Sequence, residues 1–111
     1  MSSEMTNDSY VQVCAVEDLW EGEMEAFDIG DAEVLLLNAG GSFHAYDAIC
    51  PHQSVPLVDG RFEGGVLTCR AHQWSFDACT GAGINPCGQQ LRRYPIRITD
   101  GQVFVNTLRD Q

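Results

Sequence analysis

Two short segments of this 111-residue chain each place a cysteine close to a histidine. The first is Cys50-x-His52, and the second, sixteen residues further on, is Cys69-x-x-His72. Thiolate and imidazole ligands suit zinc or an iron–sulfur centre, whereas calcium and magnesium take oxygen ligands. Zinc sites of this composition usually pair Cys with Cys and His with His along the chain. The mixed pairing instead suits a [2Fe–2S] cluster with two Cys ligands on one iron and two His ligands on the other, because each segment can then supply one ligand to each iron.

The rest of the chain consists of short strand-like runs separated by turn-forming residues. Asp100-Gly101 between the last two runs is a strong hairpin signal. No apolar period of 3.6 residues extends over ten residues or more. The sequence therefore predicts an all-β domain, either an antiparallel β-sandwich or a small barrel. The predicted strands are Tyr10 to Cys14, Met24 to Ile29, Glu33 to Asn38, Phe43 to Ala48, Val66 to Thr68, Ser75 to Asp77, Ile96 to Thr99 and Gln102 to Asn106.

The middle of the chain, from Cys50 to Gly88, differs from the remainder. It contains three prolines, six glycines and few strand-like runs. Loop regions of this length usually have a function or something that holds them together, and a bound metal centre would do so. We expect a flexible tail at residues 1–9 and one domain at residues 10–111, with residues 48–88 forming a smaller, loop-built cluster-binding part.

Charge and apolar content limit the partners and the compartment. The chain has 6 basic and 16 acidic residues, hence a formal net charge of −10. This balance argues against binding to nucleic acid or to anionic membranes and allows docking to a basic patch on a protein. The longest apolar run, Val34 to Leu37, cannot span a bilayer, and the N-terminus lacks the pattern of a signal peptide. We expect a cytoplasmic protein with reduced thiols.

The two cysteine/histidine segments resemble those of the Rieske family. The likeness rests on CPHQ at 50–53, on EGGVLTCRAHQWSF at 63–76 and on TGAGINP at 80–86, and a weaker similarity extends from about Tyr10 to Val105. It is greatest to the Rieske-type ferredoxin component of the soluble di-iron toluene, alkene and isoprene monooxygenases. The resemblance implies a Rieske fold, with an antiparallel β-sandwich base and a smaller cluster-binding subdomain. It also implies that Cys50 and Cys69 bind one iron, that His52 and His72 bind the other, and that a third loop with Pro86 covers the cluster.

By the same resemblance the protein is an electron carrier and not an enzyme. It would act as a monomer and pass electrons from an NADH-dependent flavin/iron–sulfur reductase to the di-iron hydroxylase of a hydrocarbon monooxygenase. The residue inventory agrees, because two of only three histidines are assigned to the cluster, which leaves too few for a mononuclear iron site. The chain also lacks Glu-x-x-His and a dinucleotide fingerprint.

Four positions bear on the reduction potential. High-potential respiratory Rieske proteins carry two extra cysteines, and the corresponding residues here are Val55 and Ala71, so that disulfide cannot form. The serine and tyrosine hydroxyls that donate to cluster sulfurs in that group correspond to Trp74 and Phe76. Because such hydrogen bonds stabilise the reduced cluster, we predict a potential toward the low end of the range of about −150 to +300 mV.

The predicted docking patch is the rim around the cluster histidines. Its candidate residues are Pro51, Gln53, Trp74 and Pro86, with His52 or His72 at the exit of the electron.

The other notable side chains are interpreted as structural. We expect His44 to be a hydrogen-bonded histidine and Trp20 and Tyr94 to be core residues of the base. Three cysteines are interpreted as small apolar side chains or unused thiols, namely Cys14, Cys79 and Cys87. The only basic pair, Arg92 and Arg93, is interpreted as a solvated strand edge.

Three alternatives remain open from the sequence. The chain could serve a Rieske aromatic ring-hydroxylating dioxygenase as its ferredoxin. It could be a structural zinc module that binds another protein, or the small subunit of a nitrite- or arsenite-type reductase.

Overall fold

The computed structural model describes residues 10–30, 32–50, 55–70, 74–85 and 87–107. These residues form strands and two single-turn 3-10 helices, Val16–Asp18 and Leu57–Asp59, and contain no α-helix. The strands, in chain order, are β1 Tyr10–Ala15, β2 Met24–Ile29, β3 Ala32–Ala39, β4 Ser42–Asp47, β5 Arg61–Glu63, β6 Val66–Thr68, β7 Ser75–Asp77, β8 Gly83–Asn85, β9 Arg93–Tyr94, β10 Ile96–Thr99 and β11 Gln102–Asn106.

The strands form three antiparallel sheets. A three-stranded sheet in the order β1-β11-β10 and a four-stranded sheet in the order β2-β3-β4-β9 together make the base. The third sheet, in the order β5-β6-β7-β8, is called the small sheet below. The predicted all-β, antiparallel fold class is confirmed.

Strand β3 lies at the centre of the molecule because both of its faces are covered. Leu35 and Leu37 pack into a core that also includes residues of the small sheet. Val34 and Leu36 point to the opposite face and pack with Val103 of the base. A strand buried on both faces has a continuous apolar sequence instead of an alternating one, which explains the run from Val34 to Leu37.

The small sheet occupies part of the segment that was expected to be loops. Its strands β6 and β7 were predicted, whereas the equally short strands β5 and β8 were not. The Gly64-Gly65 turn joins β5 to β6, and both glycines have positive φ, at 61° and 79°. Glycine adopts this backbone conformation without the steric cost that a side chain would add.

Two core predictions have opposite outcomes. Tyr94 is buried in the base, as expected. The prediction for Trp20 is wrong, because this side chain is 71% exposed and its indole N–H donates to the Glu17 carbonyl at 2.9 Å.

In the described ranges, no helix is long and apolar enough to cross a membrane.

Candidate metal centre

The first candidate ligand, Cys50, begins a loop that follows β4. An antiparallel bridge between Ile49 and Pro56 brings the two ends of this loop together. Within the bridge, the Cys50 N–H donates to the Val55 carbonyl at 2.9 Å. The loop therefore starts and ends at one fixed position beside the base.

The second candidate ligand, Cys69, begins the loop between β6 and β7. Thr68 and Ser75 pair across the base of this loop. The Cys69 N–H donates to the Trp74 carbonyl at 2.7 Å, so the bond again spans five residues of sequence. The two cysteines thus occupy equivalent positions in two loops that are closed in the same way.

The two thiols share one hydrophobic core. Cys50 is 3% exposed and Cys69 is fully buried, and both belong to the core between β3 and the small sheet. Neither forms a disulfide. His52 and His72 lie outside the described residues. Two buried thiols at matching loop ends, neither in a disulfide, are a suitable donor set for one iron of a [2Fe–2S] cluster.

A third loop lies beside the second one. Asn85 at the end of β8 pairs with Ser75, the residue after Trp74. The Gly83 N–H donates to the Gln89 carbonyl at 2.7 Å, which closes the loop that includes the predicted covering residue Pro86. Pro86 itself lies outside the described residues, as do Pro51 and Gln53 of the predicted rim. Trp74 is half-buried and packs against the core that contains both cysteines.

The other cysteines lie apart from this core. Cys14 is half-buried in the base, where burial, followed by the charges of Asp18 and Glu25, raises the pKa of its thiol. Cys79 and Cys87 are exposed, so neither packs as a small apolar side chain.

His44 is only partly paired, which corrects its interpretation as a fully hydrogen-bonded histidine. Its Nδ1 lies 3.4 Å from an Arg93 guanidinium nitrogen. Its Nε2 is buried and has no hydrogen-bond partner among the described residues. Burial lowers the pKa of His44, the Arg93 charge lowers it further, and Asp77 acts in the opposite direction. Arg93 is therefore a contact residue and not merely part of a solvated edge.

Two residues that hold the small sheet against the base and position its strands carry no clear signal in the sequence. The Tyr46 hydroxyl, which is buried, donates to the Ala78 carbonyl at 2.9 Å. Gly60 lies where an added Cβ would be 2.0 Å from the Thr68 carbonyl oxygen. Only the tyrosine could have been suspected from the sequence, as an aromatic in a predicted strand.

Comparisons with known proteins agree with this arrangement. The family model described as the Rieske [2Fe-2S] domain matches residues 9–95. The chain is 51% identical over 107 residues to the ferredoxin component of the alkene monooxygenase system of Xanthobacter autotrophicus Py2, covering 96% of this chain and 88% of that protein. It is 31% identical to the ferredoxin component of the naphthalene 1,2-dioxygenase system of Pseudomonas putida, covering 87% and 94%.

A solved structure shows the same fold. It is a chain of the complex of reduced oxygenase and oxidized ferredoxin in carbazole 1,9a-dioxygenase, with a TM-score of 0.81, 28% sequence identity, and coverage of 90% of this chain and 94% of that chain. The fold, the paired cysteine loops and the ferredoxin relatives together define a small iron–sulfur electron carrier. The chain belongs to the Rieske [2Fe-2S] family, and its cofactor is one [2Fe–2S] cluster of the Rieske type.

Proposed function

We propose that this ferredoxin carries single electrons from an NADH-dependent flavin/iron–sulfur reductase to the di-iron hydroxylase of a cytoplasmic hydrocarbon monooxygenase. The 51% identity to the ferredoxin of an alkene monooxygenase system supports the alkene-type partner. The observation that carries the redox role is the burial of the Cys50 and Cys69 thiols in one core, each at the start of an equivalently closed loop.

In this proposal Cys50 and Cys69 bind one iron, and His52 and His72 bind the other. When bound, the cluster accepts and releases one electron. The chain's own contribution is to hold both thiols in a closed, apolar environment that limits access of water to them. Phe76 in β7 is also buried, and it offers no hydroxyl to a cluster sulfur. We therefore expect a reduction potential in the lower part of the Rieske range.

The same proposal includes a docking patch at the rim around the histidines, with Pro51, Gln53, Trp74 and Pro86 as its candidates. The protein would act as a monomer, because a carrier must expose this patch to the reductase and to the hydroxylase in turn. Replacing Trp74 with alanine should slow reduction of the hydroxylase, and an unchanged rate would exclude this residue from the patch.

Absorption and low-temperature EPR spectra before and after addition of dithionite test the redox role. We expect a red-brown oxidised protein and, after reduction, an EPR signal with the low average g of a His-ligated [2Fe–2S] cluster. A Cys50→Ser variant should lose both signals, whereas a Cys79→Ser variant should retain them, because Cys79 is an exposed thiol outside the shared core. A colourless protein with stoichiometric zinc would contradict the proposal.

A second candidate is the ferredoxin of an aromatic ring-hydroxylating dioxygenase. The 31% identity to a naphthalene dioxygenase ferredoxin and the TM-score of 0.81 to the carbazole dioxygenase complex favour it. Single-turnover reduction of a purified di-iron alkene hydroxylase and of a Rieske dioxygenase, in parallel, distinguishes the two. Faster electron transfer to the dioxygenase would select the second candidate.

A further inference from the structure

The charges of this ferredoxin are divided unevenly along its sequence. The first 60 residues contain 12 acidic side chains and no basic one, and all 6 basic residues of the chain are arginines at position 61 or beyond. An acidic body attracts basic surfaces from a distance. Such attraction acts on the whole body and does not by itself select which side of the carrier faces the partner.

Two of the arginines lie beside the second cysteine loop. Arg61 pairs across the small sheet with Thr68, the residue before Cys69, and Arg70 directly follows Cys69. Both arginines are exposed. They line a hollow of about 160 Å³ that is open to solvent, together with Asp59, Gly60, Thr68 and Cys69.

The backbone holds this hollow in a defined shape. The Gly60 N–H donates to the Leu57 carbonyl at 2.9 Å, which closes the single-turn helix before β5. Gly60 also approaches Thr68 so closely that a Cβ would lie 2.0 Å from the Thr68 carbonyl oxygen. Arg61 therefore starts β5 at a fixed distance from the end of β6 at Thr68, the residue before Cys69.

Neither guanidinium makes a hydrogen bond or an ion pair with another residue in the part of the chain that the structure describes. Arg93, by contrast, contacts His44 and the Cys79 carbonyl. A guanidinium presents a planar set of donors that matches a carboxylate, and two of them at one hollow offer more donors than one carboxylate requires.

We propose that this hollow, called the arginine hollow, receives a carboxylate side chain that projects from a basic patch of the oxygenase component. The inference rests on the proposed function. The basic patch would be drawn to the acidic body, whereas its carboxylate would be repelled by most of that body. It would be attracted at the hollow, where the two charges of Arg61 and Arg70 exceed the single opposing charge of Asp59. These charges of both signs on both partners then fix the orientation in which the ferredoxin docks, with the side that bears Cys69 toward the acceptor. An oxygenase occupant is favoured because a chain of this fold occurs in a complex with an oxygenase.

The direction of a charge effect distinguishes this inference from general steering. Converting Arg61 and Arg70 to glutamine makes the protein more negative. If only general attraction to a basic partner operated, the double variant would associate faster than the wild type. If the arginine hollow binds a carboxylate, the double variant associates more slowly in spite of its greater negative charge.

The experiment measures the rate of hydroxylase reduction by the reduced, cluster-loaded ferredoxin at several ionic strengths. The variants are R61Q, R70Q and R61Q/R70Q, with R92Q as the matched control, since Arg92 is exposed but lies at the β9 side of the base. We expect R61Q/R70Q to lower the second-order rate constant about tenfold at low salt, with R92Q within about twofold of the wild type. The second-order rate constant of Arg70→Lys should lie between those of R61Q/R70Q and R92Q, because lysine keeps the charge and loses the planar donor pair.

Voltammetry and EPR of each variant separate docking from other effects. The expected result is an intact EPR signal, with the rate deficit remaining after correction for any change in potential. An unchanged or faster rate for R61Q/R70Q, or an equal loss in R92Q, would overturn the arginine hollow as the oxygenase contact. Failure of the wild type to reduce the hydroxylase would instead refute the proposed function itself.

Discussion

Replacing Tyr46 with phenylalanine removes one hydroxyl from the contact between the base and the small sheet. The side chain is fully buried, and its hydroxyl donates to the Ala78 carbonyl at 2.9 Å. The ring has little room to move, because a Cβ on Gly81 would lie 2.8 Å from its Cε1 atom. Loss of the hydrogen bond leaves a buried carbonyl unpaired, which costs roughly 1–2 kcal/mol of unfolding free energy near neutral pH.

The same hydroxyl makes the stability of the wild type depend on alkaline pH. Burial raises the pKa of Tyr46 to about 12, against an ordinary value of 10. A group with a raised folded pKa stabilises the protein fully below its unfolded pKa and loses this contribution as pH rises toward the folded value. At 1.36 kcal/mol for each unit of pKa, the loss is roughly 1.4 kcal/mol at about pH 11 and approaches about 2.7 kcal/mol above both pKa values.

Urea unfolding of the wild type and Tyr46→Phe at about pH 8 and about pH 11 tests this reasoning. The variant should be less stable at the lower pH, and the difference should nearly close at the higher pH, because phenylalanine cannot ionise. Tyr10→Phe serves as the control, since Tyr10 is half-buried on the base and packs under the Arg97 guanidinium. A stability difference that stays constant between the two pH values would refute the assigned role of the buried hydroxyl.

Three further predictions concern packing and charge. Gly60→Ala should destabilise the protein by roughly 3 kcal/mol in urea unfolding, because its Cβ would overlap the Thr68 carbonyl oxygen. If the variant unfolds at the same urea concentration as the wild type, the two strands can separate without cost and the prediction is wrong. The stability of the wild type should fall as pH drops from about 6.5 toward the lower pKa of folded His44. A His44→Gln variant should lack this part of the pH dependence, and an equal pH dependence in both proteins would contradict the prediction. Leu36→Ala should lower the free energy of unfolding by about 2–5 kcal/mol, because this side chain is buried. Trp20→Ala should lower it by less than about 1 kcal/mol in the same assay, because this side chain is exposed, and the reversed order would contradict both assignments.

Much of the fold could be predicted from local patterns. The apolar run of β3 and the Asp100-Gly101 turn indicated strands and a hairpin at the positions where the structure has them. The three-residue strands β5 and β8 could not be found in this way, because their backbone pairs with β6 and β7 and their own residues carry no strand signal. Trp20 was misassigned for a related reason: an aromatic side chain favours burial, but its position in a turn before β2 leaves it in solvent.

The candidate site, like the fold, could be predicted from the sequence only in part. The types and spacing of Cys50, His52, Cys69 and His72 already favour a two-iron cluster with mixed ligands, since ligand chemistry depends on the side chains themselves. Their spacing cannot show that Cys50 and Cys69 lie in one core, because these residues belong to loops of different sheets.

Long-range contacts likewise decided what the sequence left open. The Tyr46 hydroxyl meets a carbonyl 32 residues away, and Arg61 and Arg70 reach one hollow only because β5 pairs with β6. Residue types and their spacing along the chain favour a two-iron cluster over zinc and indicate a strand-rich fold class, because ligand chemistry and strand patterns follow from residue type and near neighbours. Which distant residues share a core, a hydrogen bond or a surface follows only from the packed sheets, because those contacts do not exist before the sheets pack.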